Sequence, residues 1–320
     1  MAIAIFSSGG DCAGMNPAIK YFVENALFRG LKPYFIYDGL EGLIDNRIKE
    51  ANFSDVSGII HLGGTIIGSS RSKRFYDYKY RKQAYENLKR LHIDKLIVLG
   101  GDGSFRAMNI FCNEFNLKFI GIPATIDNDI YGTQYCLGVD TALNMIRIAV
   151  DSIRDTANSF KRAFVVETMG RECGYLALVS AITSGAELCI IPEIAANLNK
   201  SKKRISKEIE NGRRYVLCIV AEGTKATQKM KEWLEEEIAL ETRVTVLGHI
   251  QRGGNPSVYD RLMAREFIKE AFDAILSLKE CKKAVVYNKS QFALMDIETI
   301  ASNKYKIDAE LLELYKRDYE

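Results

Sequence analysis

Short apolar runs alternate along the chain with longer segments whose apolar residues recur at helical spacing. The runs cover 2–7, 32–37, 95–99, 119–122, 163–167, 188–191, 215–221 and 284–287. Apolar runs without polar alternation are strands buried on both faces, so the pattern predicts parallel sheets covered by helices. The fold class expected is α/β, with two doubly wound α/β domains and largely parallel central sheets. The polar stretch 225–241 is predicted as a helix with a solvated face and i,i+4 ion pairs. No repeat, low-complexity tract or linker interrupts the pattern, and a domain boundary near Gly138 is the best reading of it.

In open parallel sheets, ligands sit at the carboxyl ends of the strands. Three clusters fall there: Ser8-Gly9-Gly10-Asp11, Gly100-Gly101-Asp102-Gly103-Ser104, and the segment from Pro123 to Asp129.

Length and composition agree with two packed cores. The chain has 320 residues, more than one ordinary core accommodates, and 47% of them are hydrophobic, enough to fill two. The formal charge is +3, too small an excess for a nucleic-acid-binding surface. Seven scattered cysteines without a C-x-x-C pair suggest neither a disulfide framework nor a zinc site, and read as reduced, buried thiols of a cytoplasmic protein. The first residues carry no charged leader and are too few for a membrane span, so no membrane association is expected.

The chemistry-bearing residues lie in the clusters. Glycines between a strand and a helix let backbone N–H groups approach phosphates, and Asp102 offers the hard oxygen that Mg²⁺ prefers. The same residues could instead form a capped tight turn. There is no G-x-x-x-x-G-K-[ST] and no G-x-G-x-x-G, which argues against P-loop NTPases and Rossmann dehydrogenases. Thr125-Ile126-Asp127-Asn128-Asp129 holds two carboxylates two residues apart, which in an extended stretch point to one side. One could take a proton while the other supports a metal, or the segment could be an Asx turn and helix cap. Arg71, Arg162, Arg171, Arg243 and Arg252 stand near glycines or strand ends, where guanidinium forks suit phosphate oxygens. His249, one of three histidines, is flanked by glycines and Arg252. The set reads as an enzyme with two phosphate sites.

Taken in order, these segments resemble the ATP-dependent 6-phosphofructokinases of bacteria. The matching stretches are Ser8-Gly9-Gly10-Asp11 with Gly14-Met15-Asn16, Gly63-Gly64-Thr65, Gly100 to Ser104, Pro123 to Asp129, Met169-Gly170-Arg171, Ala221-Glu222-Gly223, and Glu241-Thr242-Arg243 through Gly254. The resemblance implies that Gly10, Arg71, Ser72, Gly101, Asp102, Gly103 and Ser104 hold ATP, with Asp102 on Mg²⁺. It implies Asp127 as the base for the sugar 1-hydroxyl, with Thr125, Arg171 and Arg71 supporting the phosphoryl group. Fructose 6-phosphate would be held by Thr125, Asp127, Met169, Gly170, Arg171, Glu222, His249 and Arg252, and by Arg162 and Arg243 of a neighbouring subunit in a homotetramer. It further implies a discontinuous ATP domain, 1–137 and 251–303, and a fructose 6-phosphate and effector domain, 138–250 and 304–320.

Two departures and two rivals bear on that reading. Ser72, Lys73 and Arg74 differ from the trio many relatives carry on the adenine side. Effector positions survive at Lys20, Arg154, Glu187 and Arg213, but Glu24 stands where the family has arginine, Gly58 replaces an acid and Asn211 replaces a base. Regulation by ADP and phosphoenolpyruvate is therefore expected to be weak or absent. Pyrophosphate-dependent relatives typically carry aspartate in place of Gly103 and lysine in place of Ala124, whereas both positions are small here. NAD and diacylglycerol kinases share the G-G-D-G motif but not the later segments. A non-catalytic sugar-phosphate sensor on the same fold should have lost Asp127, Asp102 or Arg171, and all three are present.

Overall fold

The computed structural model describes residues 1–319; the expected segment 304–320 therefore ends on a residue outside the described ones. The chain divides into two compact units. The first comprises Met1–Thr125, Asp129–Thr141 and Arg252–Tyr305, and the second Ile126–Asn128, Ala142–Gln251 and the chain from Lys306 on. The elements in chain order are β1 (Ala2–Ser8), α1 (Met15–Phe28), β2 (Lys32–Ile36), α2 (Gly39–Ile44), β3 (Ile48–Glu50), β4 (Ser69–Ser70), α3 (Tyr78–Arg90), β5 (Ile93–Gly100), α4 (Asp102–Phe115) and β6 (Lys118–Pro123). They continue with α5 (Val139–Phe160), β7 (Ala163–Thr168), α6 (Tyr175–Ser184), β8 (Leu188–Ile190), α7 (Leu198–Glu210), β9 (Val216–Ala221), α8 (Thr227–Glu237) and β10 (Thr242–Val246). Last come α9 (Val258–Ser277), β11 (Lys282–Asn288), β12 (Gln291–Asp296), α10 (Ile297–Ser302) and α11 (Ala309–Tyr319).

The first unit holds an eight-stranded sheet in the order β12-β11-β6-β5-β1-β2-β3, with β4 added beside the end of β1. Its centre is parallel, and only the β2–β3 and β11–β12 pairs are antiparallel. From β1 the chain moves through α1 to β2, and from β5 it moves the opposite way through α4 to β6. Right-handed crossovers in opposite directions place α1 and α4 on opposite faces, and the crevice between the ends of β1 and β5 is a topological switch point. Helix α1 packs on α9, with the Phe22 and Phe272 rings 5.7 Å apart. Each such buried ring contributes roughly 1.5–3 kcal/mol. Ser257 caps α9 by accepting from Asp260 N at 3.1 Å, a common device for a free N-terminal amide.

The second unit holds a four-stranded, wholly parallel sheet in the order β10-β7-β9-β8. Ala163 and Val165 of β7, Cys218 and Val220 of β9, and Leu188 and Ile190 of β8 form one apolar face against Ile205 of α7 and Met230 and Leu234 of α8. Here α6 carries the chain from β7 over β9 to β8, and α8 carries it from β9 back over β7 to β10. A second switch point thus lies between the ends of β7 and β9.

Each apolar run read from the sequence forms a strand. The strands that carry no such run are β3, β4, β10 and β12: three are short or exposed edges, and β4 is two residues long. Helix α8 lies in the polar stretch 225–241 and carries the i,i+4 pair Lys231–Glu235 at 2.8 Å. Among the described residues no helix is long and apolar enough to cross a membrane. All seven cysteines are buried and none is in a disulfide among the described residues, and burial pushes the Cys12, Cys112 and Cys218 thiols up, which leaves those three unreactive.

Candidate active site

At the first switch point, β1 ends in Ser8 and β5 in Gly100, which are in register. Ser104, in the first turn of α4, donates its hydroxyl to Ser8, with Oγ–Oγ at 2.9 Å and Oγ–O at 3.1 Å. A Cβ on Gly100 would lie 2.9 Å from both Ser8 O and Ser104 Cβ, so this glycine is required by the packing of α4 onto β1. Gly103 is different. Nothing lies within 4 Å of the Cβ it lacks, and its φ is not positive, so the fold does not need glycine there. A glycine in a helix costs roughly 0.5–1 kcal/mol relative to alanine, and the space it leaves is open to a ligand.

Asp102 is the first residue of α4, where the helix dipole favours an acid, and it pairs with Arg106 at 2.8 Å. Arg71 follows β4, which is laid beside β1 by Gly9 N to Ser70 O (3.3 Å) and Ser69 Oγ to Gly9 O (2.9 Å). Its side chain is exposed next to this glycine loop. Ser72 turns its hydroxyl inward to accept from Phe75 N at 3.1 Å, and Arg74 is held by Glu41 and Asp45. Arg252 occupies the space where Gly10 lacks a side chain and donates through Nη1 to Asp11 O at 3.0 Å. Within the chain it therefore belongs to the Gly10 loop of the first unit. Thr125 stands beside Gly101, 4.0 Å from the position of its absent Cβ.

At the second switch point, β7 runs into Met169-Gly170-Arg171 and β9 into Glu222-Gly223-Thr224. Gly170 takes φ 137° and Arg171 φ 52°, so the chain turns sharply. A non-glycine residue in the left-handed region costs about 1–3 kcal/mol unless its surroundings hold it. Here Arg171 N donates to Glu222 Oε1 at 2.9 Å, Cys173 N to Gly170 O at 2.8 Å, and Met169 N to Gln251 Oε1 at 3.1 Å. Gly223 must be bare, because a Cβ there would overlap Arg171 O. The Arg171 side chain, 52% exposed, brings Nε within 3.1 Å of Oδ2 of Asp127, which is 1% exposed. His249 is exposed in the 3₁₀ turn Gly248–Arg252 that follows β10.

One sequence reading looks different in the structure, and two further sets of positions find their surroundings in it. Asp127 and Asp129 do not share one side of an extended stretch: Asn128 adopts φ 51°, a conformation asparagine tolerates, and the bend assigns Asp127 to the second unit and Asp129 to the first. Arg162 and Arg243 are not brought to the Met169 and Glu222 loops. They lie at the amino ends of β7 and β10, Arg243 in register with Phe164, and both pair with Glu241, Arg162 at 2.7 Å. The six residues of β7 separate them from Met169 by roughly 20 Å. Finally, the effector positions are tied within their own units: Lys20 to Glu24, Arg154 to Ser184 O, and the buried Glu187 to Arg213 and to Leu217 N at 2.6 Å. Burial pushes the Glu187 carboxyl up, with Leu217 N and Arg213 opposing.

The sequence reading gave no role to Gln251 or Asp260. Asp260 is fully buried and accepts from Gly138 N (2.6 Å), Thr141 N (2.8 Å), Thr141 Oγ1 (2.5 Å) and Tyr135, fixing the chain as it leaves the first unit. Nothing in a single sequence marks such a residue, because its partners are distant along the chain.

The phosphofructokinase family profile matches residues 2–275. The chain is a member of the phosphofructokinase family. It is 61% identical over 317 residues to the ATP-dependent 6-phosphofructokinase of Sulfurimonas denitrificans, covering 98% of this chain and 99% of that one. A relative in Thermotoga neapolitana with the same description is 40% identical over 312 residues, 98% of each chain. Among solved structures, the phosphofructokinase of Saccharomyces cerevisiae superposes with a TM-score of 0.89 at 33% identity over 94% of this chain, which spans 44% of the longer yeast chain. Pyrophosphate-dependent phosphofructokinase from Marinobacter aquaeolei, at 19% identity and a TM-score of 0.84 over 97% of this chain and 86% of that one, shares the fold.

Proposed function

We infer that this chain is an ATP-dependent 6-phosphofructokinase, transferring the γ-phosphoryl group of ATP to the 1-hydroxyl of fructose 6-phosphate and yielding fructose 1,6-bisphosphate and ADP. The observation that carries this reading is the pairing of the buried Asp127 carboxylate with the half-exposed Arg171 guanidinium at 3.1 Å. Transfer to an alcohol needs a proton acceptor for the hydroxyl and positive charge for the phosphoryl oxygens, and these two side chains supply one each. Met169, Gly170, Glu222 and His249 stand on the loops around this pair and are proposed to hold the sugar, with Arg252 and Thr125 adding to the substrate contacts.

The first unit is proposed to take the nucleotide. Gly10, Gly101 and Gly103 leave backbone exposed for phosphate, Arg71 adds charge, and Ser104 and Ser72 shape the loops through their inward hydroxyls. A carboxylate in the first turn of α4 fits Mg²⁺, which takes one or two carboxylates and completes its shell with phosphate oxygens and water. Asp102 would hold it, and Mg²⁺ when bound neutralises charge on the phosphate chain. The open space at Gly103 and the small Ala124 favour ATP over pyrophosphate as donor.

Arg162 and Arg243 are proposed to grip the 6-phosphate of a neighbouring subunit's substrate, in a homotetramer, because β7 holds them a strand's length from their own chain's Met169 loop. The first unit is assigned to ATP and the second to fructose 6-phosphate, and the effector positions proposed are Lys20 in the first unit and Arg154, Glu187 and Arg213 in the second. The buried cysteines, held outside disulfides, suit a cytoplasmic enzyme. A coupled assay with fructose 6-phosphate, comparing MgATP with pyrophosphate, tests the reading. Turnover with ATP is expected, and turnover with pyrophosphate alone would overturn it.

A further inference from the structure

The backbone ladder between β10 and β7 ends with Leu247 N donating to Glu167 O at 3.1 Å. Two residues beyond Glu167, the chain reaches Met169 and turns away through the positive φ values of Gly170 and Arg171. Met169 N has no further strand to pair with. The side chain of Gln251, 1% exposed, takes over: its Oε1 accepts from Met169 N at 3.1 Å, while its Nε2 donates to Gly248 O at 2.9 Å. One carboxamide thus closes the turn that presents His249 and ties that turn to the loop that presents Arg171. Gly248 itself sits at φ 51°, so the turn starts from a conformation that little else in the local sequence enforces.

We propose that Gln251 is a positioning residue for the sugar-phosphate half of the reaction, setting the His249 turn against the Met169-Gly170-Arg171 loop. The chemistry requires a glutamine. Glutamate accepts from Met169 N but cannot donate to Gly248 O when ionised, methionine offers neither bond at similar length, and asparagine is one methylene too short to span both partners. The bond to Met169 N is buried, so that amide, once it loses its partner, stays unpaired rather than finding water, and the half-buried Gly248 carbonyl loses its tie, so the turn is free to shift. All of the hydrogen-bonded partners belong to the second unit, and Arg252, the next residue, keeps its own tie to Asp11 O, so the change should fall on the second unit first. The proposal rests on the fructose 6-phosphate reading given above.

The test compares wild type with Gln251→Met and Gln251→Glu, measuring kcat, half-saturating fructose 6-phosphate at saturating MgATP, half-saturating MgATP, and Tm. Gln251→Met is expected to raise half-saturating fructose 6-phosphate about ten- to a hundredfold, the scale of a small misplacement of a binding group. Gln251→Glu, which keeps the bond to Met169 but sets a carboxylate oxygen against Gly248 O, should also raise it, and MgATP half-saturation should stay within about twofold in both. Fructose 6-phosphate half-saturation within about twofold of wild type in a folded variant overturns the proposal. So does a parallel loss for both substrates, or failure of both variants to fold, which would assign Gln251 to stability alone. Wild-type turnover with unshifted variants removes only the role of Gln251, whereas a wild type inactive on fructose 6-phosphate removes the functional reading and this inference with it.

Discussion

Both units place functional loops at a topological switch point, yet they build them in opposite ways. In the first unit, most of the side chains around the loop face inward: Ser104 to Ser8, Ser72 to the turn at Phe75, Arg252 to Asp11. What is left outward is backbone, the exposed Arg71 and the open space at Gly103. In the second unit the backbone is contorted and then tied down by side chains, Glu222 to Arg171 N and Gln251 to Met169 N, so that charged groups such as Arg171 can project. A site that accepts a phosphate chain needs room and amide dipoles, whereas a site that activates a hydroxyl needs particular side chains in particular places. The comparison teaches that glycine plays opposite parts in the two loops: Gly103 is dispensable to the fold and Gly223 is not.

The sharpest break in the second unit is removal of the proton acceptor. Asp127→Ser should leave binding of both substrates nearly intact while lowering kcat by roughly 10²–10⁴ or more. Near-normal turnover in steady-state assays would remove Asp127 from the role of base. In the first unit, Gly103→Asp should fold normally, since its side chain meets no protein atom at the Cβ. Placing a carboxylate against the phosphate chain costs several kcal/mol, so kcat/KM for ATP should fall about 10²- to 10³-fold with little change in Tm. Retained kcat/KM would show that the open space is not used by the donor.

Smaller effects sharpen the contrast. Gly223→Ala forces a methyl group onto Arg171 O, and is expected to lower Tm by several degrees and to weaken fructose 6-phosphate binding about tenfold, with ATP binding spared. An unchanged Tm would mean that the Arg171 turn yields easily. Sharing of sites between subunits predicts that inactive Asp127→Ser and Arg243→Ala chains, refolded together, recover part of the activity; hybrid oligomers without any recovery would place each site within one chain. The smallest effect belongs to regulation. With Glu24 standing where the family has arginine and engaging Lys20, millimolar ADP or phosphoenolpyruvate should move fructose 6-phosphate half-saturation by less than about twofold. A large shift would show that neighbouring bases have taken over.

What the sequence by itself determined was set by local patterns: the central parallel strands, because burial on both faces leaves unbroken apolar runs, and the glycine-rich loops at their ends, because only glycine exposes backbone there. The family followed from the same segments. Tertiary structure alone decided the rest. It laid β4 beside β1 so that Arg71 stands next to the Gly9 loop, although two residues leave no periodicity to read. It bent the chain at Asn128, so that Asp127 and Asp129 part company despite a spacing that suggested a shared face. It also held Arg162 and Arg243 a strand's length from the Met169 loop, and chose Gln251 and Asp260 as ties between segments far apart in sequence. The physical reason is common to all of these. Periodicity and turn propensity record how a residue relates to its chain neighbours, whereas a hydrogen bond or an ion pair across the fold depends on where two distant segments meet, and a single sequence carries no local trace of that meeting.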